Sequence, residues 1–231
     1  MKYNLRSIVD PSDPLNGELA DWPIFSGNQD IEATPPENTL SLPYPADAER
    51  FFAVEEFRPP PVTIYSENFD GGAVIPVGWS TGAHIGDTGT TQWEVGIPTH
   101  NLGPPGAASA PNCVGTNLAT EYGPDTNIFL RTPSIDLTAA GAATVNYDQF
   151  VYTDTFFQDF GTLRVLDATD DSVIAVLEAV VEGASFDWIH VSNPLPAEAL
   201  GKMVKFEFGF VADDITGDVG WLIDNVEVTI P

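Results

Sequence analysis

The chain has 231 residues, of which 34 are acidic and 8 basic, and its net charge is −26. This charge repels polyanions and excludes binding to nucleic acid, or to an anionic membrane, through a basic patch. With 43% hydrophobic and 11% aromatic residues, the chain has enough apolar side chain to form a packed core.

Twenty glycines, twenty prolines and only three lysines predict many turns and few helices, and therefore an all-β fold. Ten of the prolines lie within residues 1–61 and end in the run Pro59-Pro60-Pro61. Because proline interrupts helices and central strands, residues 1–61 are predicted to form an extended Pro-rich N-terminal arm. The composition changes at residue 62, and residues 62–231 are predicted to form the body.

Aromatic residues recur in the arm, and such residues favour burial. The clusters contain Trp22, Phe25, Phe51 and Phe52. We expect these side chains to dock the arm on its own body or on a neighbouring subunit. A disordered leader is the alternative. Residues 46–57 contain no proline and are predicted to allow one short helix.

The body contains β-branched and aromatic runs of strand length. They cover residues 62–69, 143–152, 161–167, 172–179, 186–192, 203–211 and 220–230. Every other residue from 206 to 210 is phenylalanine, so Phe206, Phe208 and Phe210 lie on one face of a strand and are predicted to face the core. Residues 167–172 predict an acidic hairpin turn. Residues 71–133 predict long loops with short strands near 92–95 and 128–131. Seven to nine such strands indicate an antiparallel sandwich of two sheets.

Two acidic residues share strand parity with apolar neighbours. Asp224 has the parity of Val226 and Val228, and Glu67 lies between Tyr65 and Phe69. A buried carboxylate costs several kcal/mol unless a cation or several donors compensate it. Since the body has only four basic residues, we expect a bound cation, and oxygen ligands favour Ca²⁺. The alternatives are a bulge that turns the carboxylate to solvent and backbone N–H groups that satisfy it.

Several segments of the body, in this order, resemble the jelly-roll modules called cleaved-adhesin or choice-of-anchor domains, which are similar to carbohydrate-binding modules. The segments are ENFDGG (67–72), PVGW (76–79), Trp93, IFLRTPSIDL (128–137) and GWLIDNVEV (220–228). The resemblance implies a two-sheet jelly roll whose first and last strands are neighbours, with a structural calcium near them. By position it implicates Asp70 and Asp224, and Asn225 stands where a second acid is common.

The sequence contains no nucleophile elbow, zinc-protease helix, phosphate loop or dinucleotide fingerprint, so no enzymatic activity is expected. The single cysteine, Cys113, is predicted to be a buried apolar residue.

Trp93 and Tyr122 lie beside the Gly-rich loops, where exposed aromatic rings could stack on the rings of sugars. They are the predicted ligand-binding residues, and burial of Trp93 beneath the loops is the alternative.

Two functional hypotheses follow. The first is a non-catalytic attachment protein, docked through its arm on protein subunits of a larger assembly such as a phage virion, or on itself. It is motivated by an extracellular type of module in a chain whose residues 1–10 lack the apolar segment of a secretory signal. The second is a carbohydrate-binding or adhesin module of a secreted multidomain protein, with glycans as partners. Both place the protein on a virion surface or outside the cell. No membrane insertion is expected, since no stretch reaches about 18 apolar residues.

Overall fold

The computed structural model describes residues 1–10, 12, 17–47, 49–154, 158–215 and 217–231. The chain folds as two compact units, one formed by Met1–Pro61 with Pro231 and the other by Val62–Ile230. Among the described residues, no helix is both long and apolar enough to cross a membrane.

The first unit contains a three-stranded antiparallel sheet in the order β2-β1-β3. Its strands are β1 (Lys2–Ile8), β2 (Ile31–Glu32) and β3 (Phe51–Phe57). β3 pairs with β1 along its full length, from Lys2 with Phe57 to Ile8 with Phe51. The predicted helix over residues 46–57 is therefore wrong from residue 51 onward, because the backbone of this segment forms its hydrogen bonds with β1. Ala48 lies outside the described residues.

Within the first unit, the aromatic residues predicted to dock the arm pack partly on one another. The rings of Phe25 and Phe52 meet edge to face, with their centres 5.2 Å apart, and the Arg50 guanidinium lies 5.3 Å from the centre of the Phe25 ring. The Trp22 carbonyl accepts a hydrogen bond from Arg6. Phe51 and Phe52 stay exposed within this unit. Docking of these side chains on another surface stays a prediction.

The second unit is a sandwich of two six-stranded antiparallel sheets. The first sheet has the order β13-β10-β15-β7-β6 with β4 beside β15, and the second has the order β12-β11-β14-β8-β5 with β9 beside β14. The strands are β4 (Val62–Glu67), β5 (Ser80–Ala83), β6 (Trp93–Gly96), β7 (Cys113–Thr116), β8 (Asn127–Arg131), β9 (Ile135–Asp136), β10 (Thr144–Tyr152), β11 (Phe160–Asp167), β12 (Val173–Val181), β13 (Ile189–Pro194), β14 (Met203–Val211) and β15 (Gly220–Ile230).

This architecture confirms the predicted all-β sandwich and the β11–β12 hairpin, which closes where the Asp167 N–H donates to the Ser172 carbonyl. The first and last strands of the body are neighbours, since β4 pairs with β15. No pattern in the sequence predicts β5, β7 and β9, because strands of two to four residues are too short to show a period.

The main core lies between the two sheets. Phe206, Phe208 and Phe210 are fully buried there, as their spacing predicts. The rings of Tyr147 and Trp221, from the opposite sheet, meet Phe208 edge to face at 5.4 and 5.6 Å. Burying each phenylalanine contributes about 1.5–3 kcal/mol, so this aromatic layer is a large part of what holds the sheets together.

A second, smaller apolar cluster lies on the opposite side of the first sheet. It contains Cys113, Phe150 and Leu222, with Ala107 and Trp188 packed against it. The Trp188 indole N–H donates to the Gly106 carbonyl at 2.9 Å, which fixes the loop of residues 97–112 over the cluster. Cys113 is fully buried, as predicted, and burial raises the pKa of its thiol far above the ordinary value.

A β-bulge in β15 decides which residues face which cluster. Asn146 pairs with Glu227 and Asp148 with Asp224, so three steps along β15 match two along β10. Asn225 has a positive φ of 49° at this point. Because of the extra residue, the odd-numbered Trp221 and Ile223 face the main core before the bulge, and the even-numbered Val226 and Val228 face it after the bulge. The prediction that Asp224 shares a face with Val226 and Val228 is therefore wrong.

Two buried tyrosines provide a matched test of hydrogen bonding in the body. Among the described residues, the Tyr147 hydroxyl has no partner. The Tyr122 hydroxyl donates to Asp159 Oδ2 at 2.6 Å and accepts from the Asp154 N–H at 3.0 Å. We expect Tyr147→Phe to leave the free energy of unfolding in urea unchanged or higher. Tyr122→Phe should lower it by about 1–3 kcal/mol, because the buried Asp159 loses its donor. Equal losses in the two variants would contradict this assignment.

Candidate functional site

Asp224 is fully buried and satisfied by hydrogen-bond donors. Its Oδ2 accepts from the Ser109 backbone N–H at 2.7 Å, and its Oδ1 accepts from the Asn225 N–H at 2.7 Å. The Ser109 hydroxyl lies 3.1 Å from Oδ1 and 3.2 Å from Oδ2. Because β15 is bulged, this carboxylate points to the loop of residues 97–112 and not into the core between the sheets.

Asp70 binds the same loop three residues further along. Its Oδ1 accepts from the Asn112 N–H at 3.1 Å, while its Oδ2 accepts from the Asn68 side chain at 2.9 Å. Burial raises the pKa of Asp224 to about 6, the hydrogen bonds from Ser109 and Asn225 oppose this rise, and the negative charge of Asp70 adds to it. The two carboxylates together hold the end of the loop against β4 and β15.

Glu67 and Asn225, the other two predicted calcium ligands, lie beside these residues, but their side chains make separate contacts. Glu67 Oε1 accepts from the Phe69 N–H at 2.8 Å, and the Asn225 amide donates to Asp148 Oδ2 at 2.8 Å. Both residues line a groove of about 510 Å³. The structure gives no hydrogen bond between the side chains of Glu67 or Asn225 and those of Asp70 or Asp224 among the described residues.

Ca²⁺ takes six to eight oxygen ligands, and the contacts that the structure gives to Asp70 and Asp224 are N–H and hydroxyl donors. In the part of the chain that the structure describes, no three or more His, Cys, Asp or Glu side chains are grouped to hold a metal. The N–H groups satisfy the buried Asp224 carboxylate, and calcium binding by these residues stays a prediction.

The raised pKa of Asp224 predicts a pH effect on stability. A carboxyl group whose pKa is higher in the folded state contributes stability below its ordinary pKa of 3.8, and this contribution is lost as the pH rises through about 6. The comparison with Asp224→Asn isolates this group, since the asparagine does not titrate and any constant cost cancels. Between pH 5 and pH 8, the unfolding free energy of the wild type should fall by about 1 kcal/mol relative to the variant. Urea denaturation with chelator present measures it, and a pH-independent difference would contradict the assignment.

Trp93 and Tyr122 are both buried, with exposed fractions of 5% and 2%. The Trp93 ring packs on Trp221 at 6.1 Å and the Tyr122 ring on Phe210 at 4.9 Å. The expectation of exposed rings that stack on sugars is therefore wrong. Both rings belong to the core between the sheets, so the alternative that Trp93 is buried is the observed one.

A cleft opens where the two sheets end on the same side. β5 is the last strand of the second sheet and β6 the last strand of the first, and residues from both line a cavity of about 390 Å³. The polar part of its lining comes from Thr81, Asp87, Thr90, Gln92 and Trp93. The Trp93 indole N–H is buried, with no hydrogen-bond partner among the described residues. The Trp93 N–H is therefore not accessible to a ligand in this structure.

Internal hydrogen bonds hold the walls of this cleft in place. The Thr91 and Thr126 hydroxyls lie 2.6 Å apart, and Thr91 Oγ1 also accepts from the Gly123 N–H at 2.8 Å. Asp87 Oδ1 accepts from the Asn127 N–H at 2.8 Å, which ties the loop to β8. The cleft is therefore pre-formed, and its remaining hydrogen-bonding groups are available to a ligand. The sequence did not reveal it, because the lining comes from three separate segments without a motif.

No protein-family model matches the chain. Bacillopeptidase F of Bacillus subtilis (strain 168) is 26% identical over 162 residues, which are 70% of this chain. The matched part is 10% of the length of that protein.

Solved structures of three kinds of protein are similar to the second unit. A cyclase from Fischerella sp. shares 17% identity, with a TM-score of 0.53 over 74% of this chain and 97% of that one. The K1 cleaved-adhesin domain of Lys-gingipain from Porphyromonas gingivalis W83 shares 18% identity, with a TM-score of 0.46 over 74% and 99%. The CBM22-1 xylan-binding domain of Paenibacillus barcinonensis Xyn10C shares 12%, with a TM-score of 0.43 over 74% and 95%.

The body has the fold of these jelly-roll modules. The resemblance to adhesin and carbohydrate-binding domains that the sequence segments indicate is confirmed at this level. A likeness of fold to the cyclase at 17% identity does not by itself assign the function.

Proposed function

We propose that the body is a non-catalytic binding module of the carbohydrate-binding or adhesin type, and that its ligand occupies the cleft between β5 and β6. The observation that carries this proposal is the pre-formed cleft, whose polar side chains retain hydrogen-bonding capacity. Its volume of about 390 Å³ is at the small end of the range for ligand sites, roughly 300–1,000 Å³.

The chemistry of the lining suits a polyhydroxylated ligand. Thr81 and Thr90 offer hydroxyl groups that both donate and accept, and Gln92 offers an amide that does the same. The hydroxyl groups of sugars also both donate and accept, so they match the hydroxyl and amide groups of the lining.

This proposal takes up the second of the two hypotheses drawn from the sequence. Nothing in the similar proteins named above supports a virion component, and the coarser expectation of a surface-binding module is the part retained. Attachment of the first unit to a larger assembly is a separate proposal, supported by the exposed Phe51 and Phe52 of β3.

A glycan array with two matched variants tests the proposed function. Gln92→Ala removes an exposed amide from the cleft, and Asn101→Ala removes an exposed amide from the loop of residues 97–112. We expect the wild type and Asn101→Ala to bind the same glycans, with the signal for Gln92→Ala reduced about tenfold, which corresponds to one or two lost hydrogen bonds. A blank array for the wild type would contradict the proposal.

The same glycans distinguish binding from catalysis. Incubation with the wild type should release no new reducing ends and leave the mass of each bound glycan unchanged. A product that forms with the wild type and not with Gln92→Ala would show that the cleft is an active site.

Calcium binding has its own test. Because donors already surround Asp70 and Asp224, we expect the melting temperature to be the same with calcium chloride and with excess chelator. A bound ion stabilises the native state by mass action, so a lower melting temperature in chelator, restored by calcium and absent in Asp70→Asn, would reinstate a calcium site at these residues.

A further inference from the structure

The edge of the three-stranded sheet in the first unit carries an inference about self-association. β3 is an edge strand, since the described strands of this unit have the order β2-β1-β3. It pairs with β1 over seven residues in unbroken register, and it contains neither proline nor lysine. Bulges, prolines and lysines are the features that commonly protect an edge strand from pairing with another chain. Within the first unit, the outer edge of β3 can therefore accept a further strand.

The hydrogen bonds of β1 show which groups of β3 point to this edge. The N–H groups of the odd-numbered Leu5 and Ser7 donate to carbonyls on the side of β1 away from β3, at 2.9 and 3.0 Å. Because backbone groups alternate between the two sides of a strand, β1 bonds to β3 through its even-numbered residues, whose partners in β3 are odd-numbered. The N–H and C=O groups that point outward from β3 are thus those of Phe52, Val54 and Glu56.

The side chains of these three residues share one face of the sheet with Arg50. Val54 is 68% exposed and Phe52 is 42% exposed. The Arg50 guanidinium donates to the hydroxyl of Ser7, the residue that pairs with Phe52, so it lies on the same face. Along the edge, this face presents a base, two apolar side chains and an acid, in that order.

This order is self-complementary when two copies of β3 run antiparallel about a twofold axis. If Ala53 lies on the axis, Val54 is opposite Phe52 of the second copy, and Glu56 is opposite Arg50 of the second copy. Apolar pairs and pairs of opposite charge across two strands are favourable. A shift by two residues, the smallest that keeps the same backbone groups at the edge, puts either Glu56 opposite Phe52 or Arg50 opposite Val54.

Arg50 is held in position at this edge by its own chain. Its guanidinium donates to Asp47 and Ser7 and lies 5.3 Å from the centre of the Phe25 ring. These contacts use three of its five N–H groups. Among the described residues, the other two are left for a carboxylate of a second chain.

We propose that the chain forms a homodimer in which the two β3 strands pair antiparallel and join two three-stranded sheets into one. The occupant of the free edge is a second copy of this chain. Backbone hydrogen bonds provide the affinity, while the contacts of Glu56 with Arg50 and of Val54 with Phe52 fix the register. The dimer does not depend on the proposed function. It adds to that function by joining two bodies, so that a ligand displayed in many copies is bound with avidity.

Sedimentation equilibrium of the whole chain measures this association. In 0.15 M salt, repulsion between exposed charges is screened beyond about 8 Å, and we expect a mass twice that of the 24.8 kDa chain. Val54→Lys places a charge at the edge and should weaken dimerisation about tenfold or more. Val176→Lys is the matched control, because Val176 is 53% exposed on β12, an edge strand of the body, and it should dimerise as the wild type does.

An exchange of charges tests the register. Glu56→Arg and Arg50→Glu each place like charges opposite one another, and each variant alone should dimerise about tenfold more weakly than the wild type. An equal mixture of the two variants restores opposite charges at both contacts, so we expect it to form the mixed dimer.

A disulfide tests the position of the axis. Two copies of Ala53 on the axis form a non-hydrogen-bonded pair, whose Cα atoms lie about 4.5 Å apart, within the range for a disulfide. Mild oxidation of Ala53→Cys should therefore give a cross-linked dimer, while the native Cys113 is fully buried. Ala83→Cys, at an exposed alanine of β5, is the control and should stay monomeric under denaturing conditions. This pair keeps the test valid if Val54→Lys disturbs the first unit.

A monomeric wild type, full dimerisation of Val54→Lys, or equal cross-linking of the two cysteine variants would overturn the inference. The glycan array tests the body and not the association of the first unit. Failure of the dimer and failure of the proposed function are therefore distinguishable.

Discussion

The bulge at Asn225 in β15 is the constraint on which the rest of the body depends. β15 is the central strand of the first sheet and pairs with β10, β4 and β7. Before the bulge, Trp221 points into the main core and supports Trp93, which forms the wall of the cleft. Leu222 and Asp224 have the opposite parity to Trp221, so they are on the other face of β15 and point to the loop of residues 97–112. After the bulge, Val226 and Val228 return to the main core. One added residue thus lets a single strand serve two apolar clusters.

A second constraint is the shortage of cations in an acidic body. Three carboxylates are buried among the described residues of the body, those of Asp159, Glu207 and Asp224. Asp224 accepts from the N–H groups of Ser109 and Asn225, and Asp159 accepts from the Tyr122 hydroxyl and the Asp213 N–H. Of these three, Glu207 is the one paired with arginine side chains. Removing one partner from such a buried ion pair costs about 3–5 kcal/mol, so Arg131 and Arg164 stabilise the second sheet.

The sequence was most informative where long runs repeat with period two. β14 and β15 lie where the pattern predicts them, and the burial of Phe206, Phe208 and Phe210 follows from their spacing. It was misleading where tertiary pairing overrides local pattern. Regular parity puts Asp224 on the same face as Val226 and Val228, because a bulge leaves no trace in a run of apolar residues. Residues 51–57 lack proline and allow a helix in isolation, but pairing with β1 makes them a strand.

The candidate site was only partly predictable for a related reason. Trp93 is part of the cleft wall, but as a buried ring and not as an exposed stacking surface. The exposure of a side chain depends on how loops fold over it, and the Gly-rich segments contain no pattern that fixes their course. The cleft also requires β5 and β6 to end on the same side of the sandwich, which follows from the order of strands in both sheets. No local feature of residues 81–93 contains that information.

If the body binds a sugar between β5 and β6, the ligand must contact the residues that line this cleft. A titration with a glycan that binds on the array, followed by the shifts of the backbone amide signals, measures this. We expect shifts confined to residues 81–93 and the adjoining Ile128. Shifts around Arg131 and Arg164 on the second sheet, with none in the cleft, would contradict it.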